Sequence, residues 1–127
     1  MDGADRAVGA VAALRGFAHP ISVARQVMLR LPHVLLVGEG AARFATEIGA
    51  EQSELLTPES RRAWLERLEQ YVGVRPEDLA EHPDLTELVW RAMDERRRGG
   101  TVDFLALDAQ GNLAAGVSTS GYAWKYP

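Results

Sequence analysis

Two threonines, Thr101 and Thr119, raise the first question of chemistry in this chain of 127 residues. Thr101 follows Arg96, Arg97, Arg98, Gly99 and Gly100, and it opens the clearest hairpin of the sequence, "TVDFLALDAQGNLAAGVSTS". A hairpin needs no preamble of three arginines and two glycines; a cut made just before Thr101 would. With the loop centred on Gln110, Leu107 faces Leu113, and in two further pairs a larger residue sits over a smaller one, Leu105 over Ala115 and Phe104 over Gly116. Carried to its end, that register puts Thr101 opposite Thr119, with Cβ atoms about 4.5–5.5 Å apart. A bulge at the loop would shift the pairing by one residue. Two hydroxyls meeting beside a glycine pair could do chemistry, yet geometry alone favours an ordinary cross-strand pair, because threonine is a good strand residue.

Other reactive side chains offer less. His19, His33 and His82 have no metal-ligand spacing and read as surface or helix-end residues, so no metal is expected. Glu39, Glu47 and Glu51 form no paired-carboxylate arrangement. "VGEGAAR" places Gly38 and Gly40 as a dinucleotide loop would, but Arg43 occupies the third glycine position. A tight strand-to-helix turn is the better account, and no cofactor is expected. The run "DERRRGG" lacks interleaved aromatics, and the formal net charge is −4, so it reads as a solvated helix end rather than a nucleic-acid patch. With no cysteine, disulfides, thiolate metal sites and a cysteine nucleophile are excluded.

The elements that must position the threonines follow from patterning. Hydrophobic residues make up 46% and charged residues 25%, the balance of a folded domain rather than a disordered segment. The small, apolar, glycine-broken run at residues 6–16 reads as a strand. In "HPISVARQVMLRLPH", Ile21, Ala24, Val27, Met28 and Leu31 recur at helical spacing, from Pro20 to a stop before Pro32. Residues 33–37 read as a short buried strand, and "EGAARFATEIG" as a helix ended by Gly49. Thr57 and Pro58 cap a third helix whose stripe is Trp64, Leu65, Leu68 and Tyr71. "RPEDLAEHPDL" reads as a turn and short helix. A fourth helix carries Leu85, Leu88, Val89 and Met93 and ends in Arg96–Arg98, which suits a helix C-terminus. In the last hairpin, Gly111 is placed to supply the positive φ of the loop. No apolar run is long enough to span a bilayer, and "MDGADRAVGAVAALRGF" does not have the layout of a signal peptide, so a cytoplasmic protein is expected.

Taken together, "HPISVARQVM", "PHVLLVGEGAARFA" and "GGTVDFLALDAQGNLAAGVSTSGYAWKYP" resemble the asparaginase type 2 family of N-terminal nucleophile hydrolases. That family includes isoaspartyl peptidase/L-asparaginase and glycosylasparaginase. The resemblance covers most of the chain and is weakest from about Gln52 to Arg98. It implies an α+β fold, the four-layer αββα sandwich, of which this chain is expected to be an incomplete piece. Residues 1–100 would be the C-terminal part of the α-subunit region and residues 101–127 the N-terminal hairpin of the β-subunit region, within one domain.

The resemblance also implies self-cleavage between Gly100 and Thr101, with the Thr101 hydroxyl as nucleophile and Thr119 as its support. A threonine hydroxyl is a poor nucleophile without a base. A free α-amine, with an ordinary pKa of about 7.7–8.0, can serve near neutrality, so the cut creates the base on the nucleophile's own residue. Gly100 can take strained backbone angles and leaves room at its carbonyl. Glycine before the threonine resembles the isoaspartyl peptidase/asparaginase branch; glycosylasparaginases more often carry aspartate there. Asp103, on the strand face of Thr101, departs from the small residue of many relatives, and a carboxylate there would raise the amine's pKa.

The implied substrate is a small amino acid or dipeptide, L-asparagine or a β-aspartyl peptide, with neither nucleic acid nor membrane as partner. Most groups that grip the substrate, and the oxyanion-forming part, are expected beyond Pro127. The missing remainder of the α- and β-subunits, and a second αβ unit in a homodimer, are the expected partners. A glycosylasparaginase, or a non-catalytic incomplete homologue that keeps the sheet, are the alternatives.

Overall fold

The computed structural model describes residues 1–81, 84–92 and 100–121. His82, Met93, Arg96–Arg98, Gly99 and the tail 122–127 lie outside the described residues, as does the side chain of Tyr71. The chain forms two compact units: Met1–Leu55 with Thr101–Thr119, and Leu56–Gly100 with Ser120–Pro127.

The first unit begins with a βαβ arrangement. Strand β1 (Ala10–Ala12) lies parallel to β2 (Leu35–Val37), with Ala10 opposite Leu35 and Ala12 opposite Val37. Helix α1 (Pro20–Arg30) makes the crossover that parallel strands require. Pro20 stands in its first turn, and Leu31 leaves the helix in an extended conformation just before Pro32, which disfavours helical geometry in its predecessor. Helix α2 (Gly38–Glu47) follows β2 with no intervening loop, the tight turn expected of "VGEGAAR", and Gly49 stops the chain beyond it at φ +68°.

Between these elements lies an apolar core of Phe17, Val23, Val27, Phe44 and Ala45, packed against Val11, Leu14, Leu36 and Ile48. Helical spacing correctly marks Val27 but passes over Val23, which is fully buried, and counts Ile21, which is 38% exposed. The cause is that α1 packs on more than one side. Val23 and Val27 enter the core. Ile21 lies against the hairpin, its Cγ2 3.6 Å from where a Cβ on Gly116 would be. Ala24 and Met28 abut Gly9, whose missing Cβ would run into the Ala24 carbonyl and stand 2.6 Å from the Met28 nitrogen.

The strand expected over residues 6–16 is therefore only three residues long. Positive φ at Arg6 (62°) and Ala13 (51°) breaks the extended chain on either side. Its partner β2 is equally short, 35–37 rather than the expected 33–37, and it is not the buried strand expected, since Leu35 and Val37 are exposed, although Ala10 also donates to the Val34 carbonyl at 2.7 Å. Further on, Phe17 bridges Gln52, and His19 meets Glu51 at 3.3 Å in an exposed pair.

The hairpin completes this unit. Strand β3 (Thr101–Leu107) runs antiparallel to β4 (Leu113–Thr119). Leu107 pairs with Leu113, Leu105 with Ala115, Phe104 with Gly116 and Thr101 with Thr119, the register expected from the sequence and free of any bulge. On its other edge β4 receives the N-terminal segment: Asp2 bridges Ala114, Gly3 donates to the Leu113 carbonyl at 2.7 Å, and Ala115 donates to the Met1 carbonyl at 3.0 Å.

The second unit is helical. Helix α3 (Pro58–Arg67) is capped by Thr57, whose hydroxyl accepts from the Ser60 amide at 3.2 Å. A π-helical turn over Leu68–Val72 follows and ends at Gly73, φ +69°. Residues Pro76–Glu81 form a 3₁₀ turn, braced by Arg75 to Asp78 at 3.1 Å. Helix α4 (Leu85–Ala92) is capped by Asp84, which accepts from the Glu87 amide at 2.8 Å. Leu68 and Leu88 are buried together against Val74 and Leu85; Trp64, expected on the stripe, stays at the surface. No helix among the described residues is long and apolar enough to cross a membrane.

Gly9 supports a direct test of the α1 contact. Gly9→Ala is expected to lower the unfolding free energy by about 1–3 kcal/mol or more, because the methyl meets the Ala24 carbonyl and the Met28 nitrogen and Cβ, atoms that cannot swing aside. Gly40→Ala, in open space on α2, is expected to raise it by about 0.4–1 kcal/mol. Urea unfolding of the two variants checks both signs.

Candidate active site

The candidate site lies at the open end of the hairpin, where Thr101 meets Thr119, and its geometry is set at the loop. There the Asp108 carboxylate gathers three donors: the Gln110 amide at 2.9 Å, the Asn112 amide at 2.8 Å, and the Asn112 side-chain nitrogen at 2.9 Å. The Asp108 amide donates to the Asn112 carbonyl at 3.0 Å, and Gly111, at φ +86°, donates back to the Asp108 carbonyl at 3.1 Å. These bonds, led by that from the Asn112 side chain, hold the Asp108 carboxyl below its ordinary pKa. The positive φ at Gly111 was legible in the sequence; the Asp108 clip was overlooked. Its signal was an aspartate three residues before a glycine and four before an asparagine, a pattern suited to side-chain capping of a turn.

Fixing the loop fixes the register, and fixing the register fixes the far end. A one-residue slip would set Thr101 opposite Ser118 and turn its neighbours to the wrong face. As built, Thr101 and Thr119 are directly opposed and both exposed. By alternation they share a face with Asp103, Leu105 and Leu107 of β3 and with Leu113, Ala115 and Val117 of β4. Asp103 pairs with Val117, so an apolar residue lies opposite its carboxylate. The four large apolar residues of this face are all more than half exposed, Leu105 reaching 81%.

Immediately before Thr101, Gly100 has φ +120°, an angle that residues with a side chain rarely adopt. Nothing lies within 4 Å of where its Cβ would be, so the backbone angle rather than lack of space calls for glycine. Of the remaining residues singled out, His19 is engaged with Glu51 and His33 is exposed, both away from the threonine pair in sequence and in pairing.

Comparison with known proteins adds what the hairpin alone cannot. The family model described as Asparaginase matches residues 1–127, the whole chain. The chain belongs to the asparaginase type 2 family. Among its relatives, the N(4)-(beta-N-acetylglucosaminyl)-L-asparaginase of Elizabethkingia miricola is 41% identical over 120 residues, covering 93% of this chain and 30% of the relative. The isoaspartyl peptidase of Escherichia coli (strain K12) is 39% identical over 127 residues, covering all of this chain and 37% of the relative. The isoaspartyl peptidase/L-asparaginase of Bos taurus is 40% identical over 130 residues, with the same two coverages. The chain thus spans about a third of the length of these asparaginase relatives. Membership in the family implies the N-terminal nucleophile hydrolase fold, of which these residues form an α+β portion with small sheets.

The loop makes a pH-dependent prediction. Because folding lowers the Asp108 pKa, its stabilisation of the hairpin is fully present above the ordinary aspartate value of about 3.9 and is lost as pH falls through the lower folded value. Amide exchange at Gln110 and Asn112 is expected to quicken below that value, after correction for intrinsic rates. Asp108→Ala is expected to remove the pH dependence and leave both amides fast throughout.

Proposed function

We propose that these residues belong to a self-processing threonine amidohydrolase. It hydrolyses the side-chain amide of L-asparagine, β-aspartyl (isoaspartyl) peptides, or both, after cleavage between Gly100 and Thr101. The observation that carries this reading is the direct opposition of Thr101 and Thr119 at an exposed strand end, immediately after a glycine at positive φ, in a chain of this family. In this scheme the freed α-amine of Thr101 takes the proton of its own hydroxyl. The hydroxyl oxygen attacks the substrate amide carbon, the nitrogen leaves with a proton as ammonia or an amine, and water hydrolyses the resulting ester. Thr119 hydrogen-bonds the Thr101 oxygen and orients it; the β-methyl of Thr101 restricts χ1 and limits where that oxygen points.

The whole enzyme on this reading is a four-layer αββα sandwich, with αβ units paired as homodimers. The exposed Leu105, Leu107, Leu113 and Val117 support it, since a second sheet would cover such a face. A glycosylasparaginase is the second reading, favoured by the name and 41% identity of the Elizabethkingia relative. Gly100 in place of aspartate favours the first. A non-catalytic homologue is the outcome if no cut occurs.

Intact mass of the protein from its full reading frame is the test. A species beginning at Thr101 is expected, together with hydrolysis of asparagine or a β-aspartyl dipeptide. Thr101→Ala is expected to stay whole and to lose activity by roughly 10³-fold or more. Thr119→Ala is expected to lower kcat/KM about 10- to 100-fold in the cut enzyme, the effect of one hydrogen bond to a charged group. The 127 residues by themselves are expected to hydrolyse neither substrate. A wild-type chain that stays whole on long incubation would refute the proposal.

A further inference from the structure

The cleavage step poses a proton problem of its own. Before the cut, the Thr101 nitrogen is an amide and cannot act as a base. The α-amine that serves turnover does not yet exist, and residue 100 is a glycine with no side chain to offer. A threonine hydroxyl still needs a proton acceptor to attack a peptide carbonyl.

The hairpin narrows the search. The face that carries Thr101 consists of Thr101, Asp103, Leu105 and Leu107 on β3, with Leu113, Ala115, Val117 and Thr119 on β4. Asp103 is the one titratable side chain among them. It is exposed, and the residue opposite it is Val117. Two residues along a strand span about 6.6 Å between Cα atoms. Side chains two apart on one face can lean toward each other, which brings a carboxylate within reach of the hydroxyl directly or through one water.

We propose that Asp103 is the general base for the cut between Gly100 and Thr101, an inference that rests on Thr101 being the cleavage nucleophile. The Asp103 carboxylate takes the proton from the Thr101 Oγ1, and that oxygen bonds to the Gly100 carbonyl carbon. As the tetrahedral adduct collapses, the carbon–nitrogen bond breaks and the nitrogen receives the proton back from Asp103. The products of this step are an ester between the Gly100 carbonyl and Oγ1 and a free α-amine on Thr101. Water then hydrolyses the ester, its hydroxyl going to the Gly100 carbon and its hydrogen to Oγ1.

The test follows cleavage over time by intact mass in the protein from the full reading frame. Asp103→Ala is expected to slow cleavage roughly 10²-fold or more, within the range of general-base effects. Asp103→Glu is expected to keep most of the wild-type rate. Added formate is expected to restore cleavage of the alanine variant in proportion to its concentration while leaving the wild type unchanged, a rescue that a merely structural role would not allow. Cleavage of Asp103→Ala at the wild-type rate overturns the proposal. So does a slow alanine variant that neither formate nor glutamate restores. If the wild type stays whole, or Thr101→Ala still cuts, the reading of Thr101 itself has failed and this proposal falls with it.

Discussion

The register of one antiparallel ladder is the constraint on which the candidate site depends. Thr101 opens the hairpin and Thr119 closes it, and no direct contact from either residue to the core is needed to bring them together. They meet because each residue pair from Leu107–Leu113 onward is in step. That step is set at the loop, where one carboxylate satisfies three donors and a glycine takes the positive φ that closes the turn. Side-chain alternation has a period of two, so an error of one residue in the loop would be transmitted undiminished to the open end. A local polar clip thereby governs a distant pair of hydroxyls.

The rest of the first unit holds that ladder by its edge and by one face. Residues 1–3 hydrogen-bond along the free side of β4, and Ile21 of α1 lies over Gly116. Gly116 is matched to Phe104 across the ladder, so the small residue on β4 makes room on both counts. The same helix sends Val23 and Val27 into the apolar core and lays its backbone against Gly9. A helix with three distinct neighbours needs a wide apolar surface, and that breadth is why its stripe is blurred in the sequence.

Legibility followed the range of the interaction. The hairpin was readable to the individual pair because its register follows from the centre of one short loop. Caps were readable for the same reason: Thr57 with Pro58, and Gly49 after α2, each act within a few residues. The strand over residues 6–16 was overextended because small apolar residues fit a strand, a close helix contact or an irregular segment equally well, and the positive φ values at Arg6 and Ala13 leave no mark in residue type. Val23 was missed because α1 packs on more than one side, so that no single stripe marks the face that enters the core. Of the candidate site, the pairing of Thr101 with Thr119 could be read in advance, while Asp108 escaped because its side chain shapes the backbone of the loop.

The proposed chemistry gives Asp103 opposite effects before and after the cut. While the Thr101 nitrogen is still an amide, a carboxylate on the same face helps, since it takes a proton that nothing else on that face can accept. Once the nitrogen is a free amine, the same negative charge favours its ammonium form and so opposes the base needed for turnover. A residue chosen only for turnover would be neutral here, and one chosen only for maturation would be acidic. On the proposed chemistry, an aspartate two residues from Thr101 thus serves the making of the nucleophile and opposes its use.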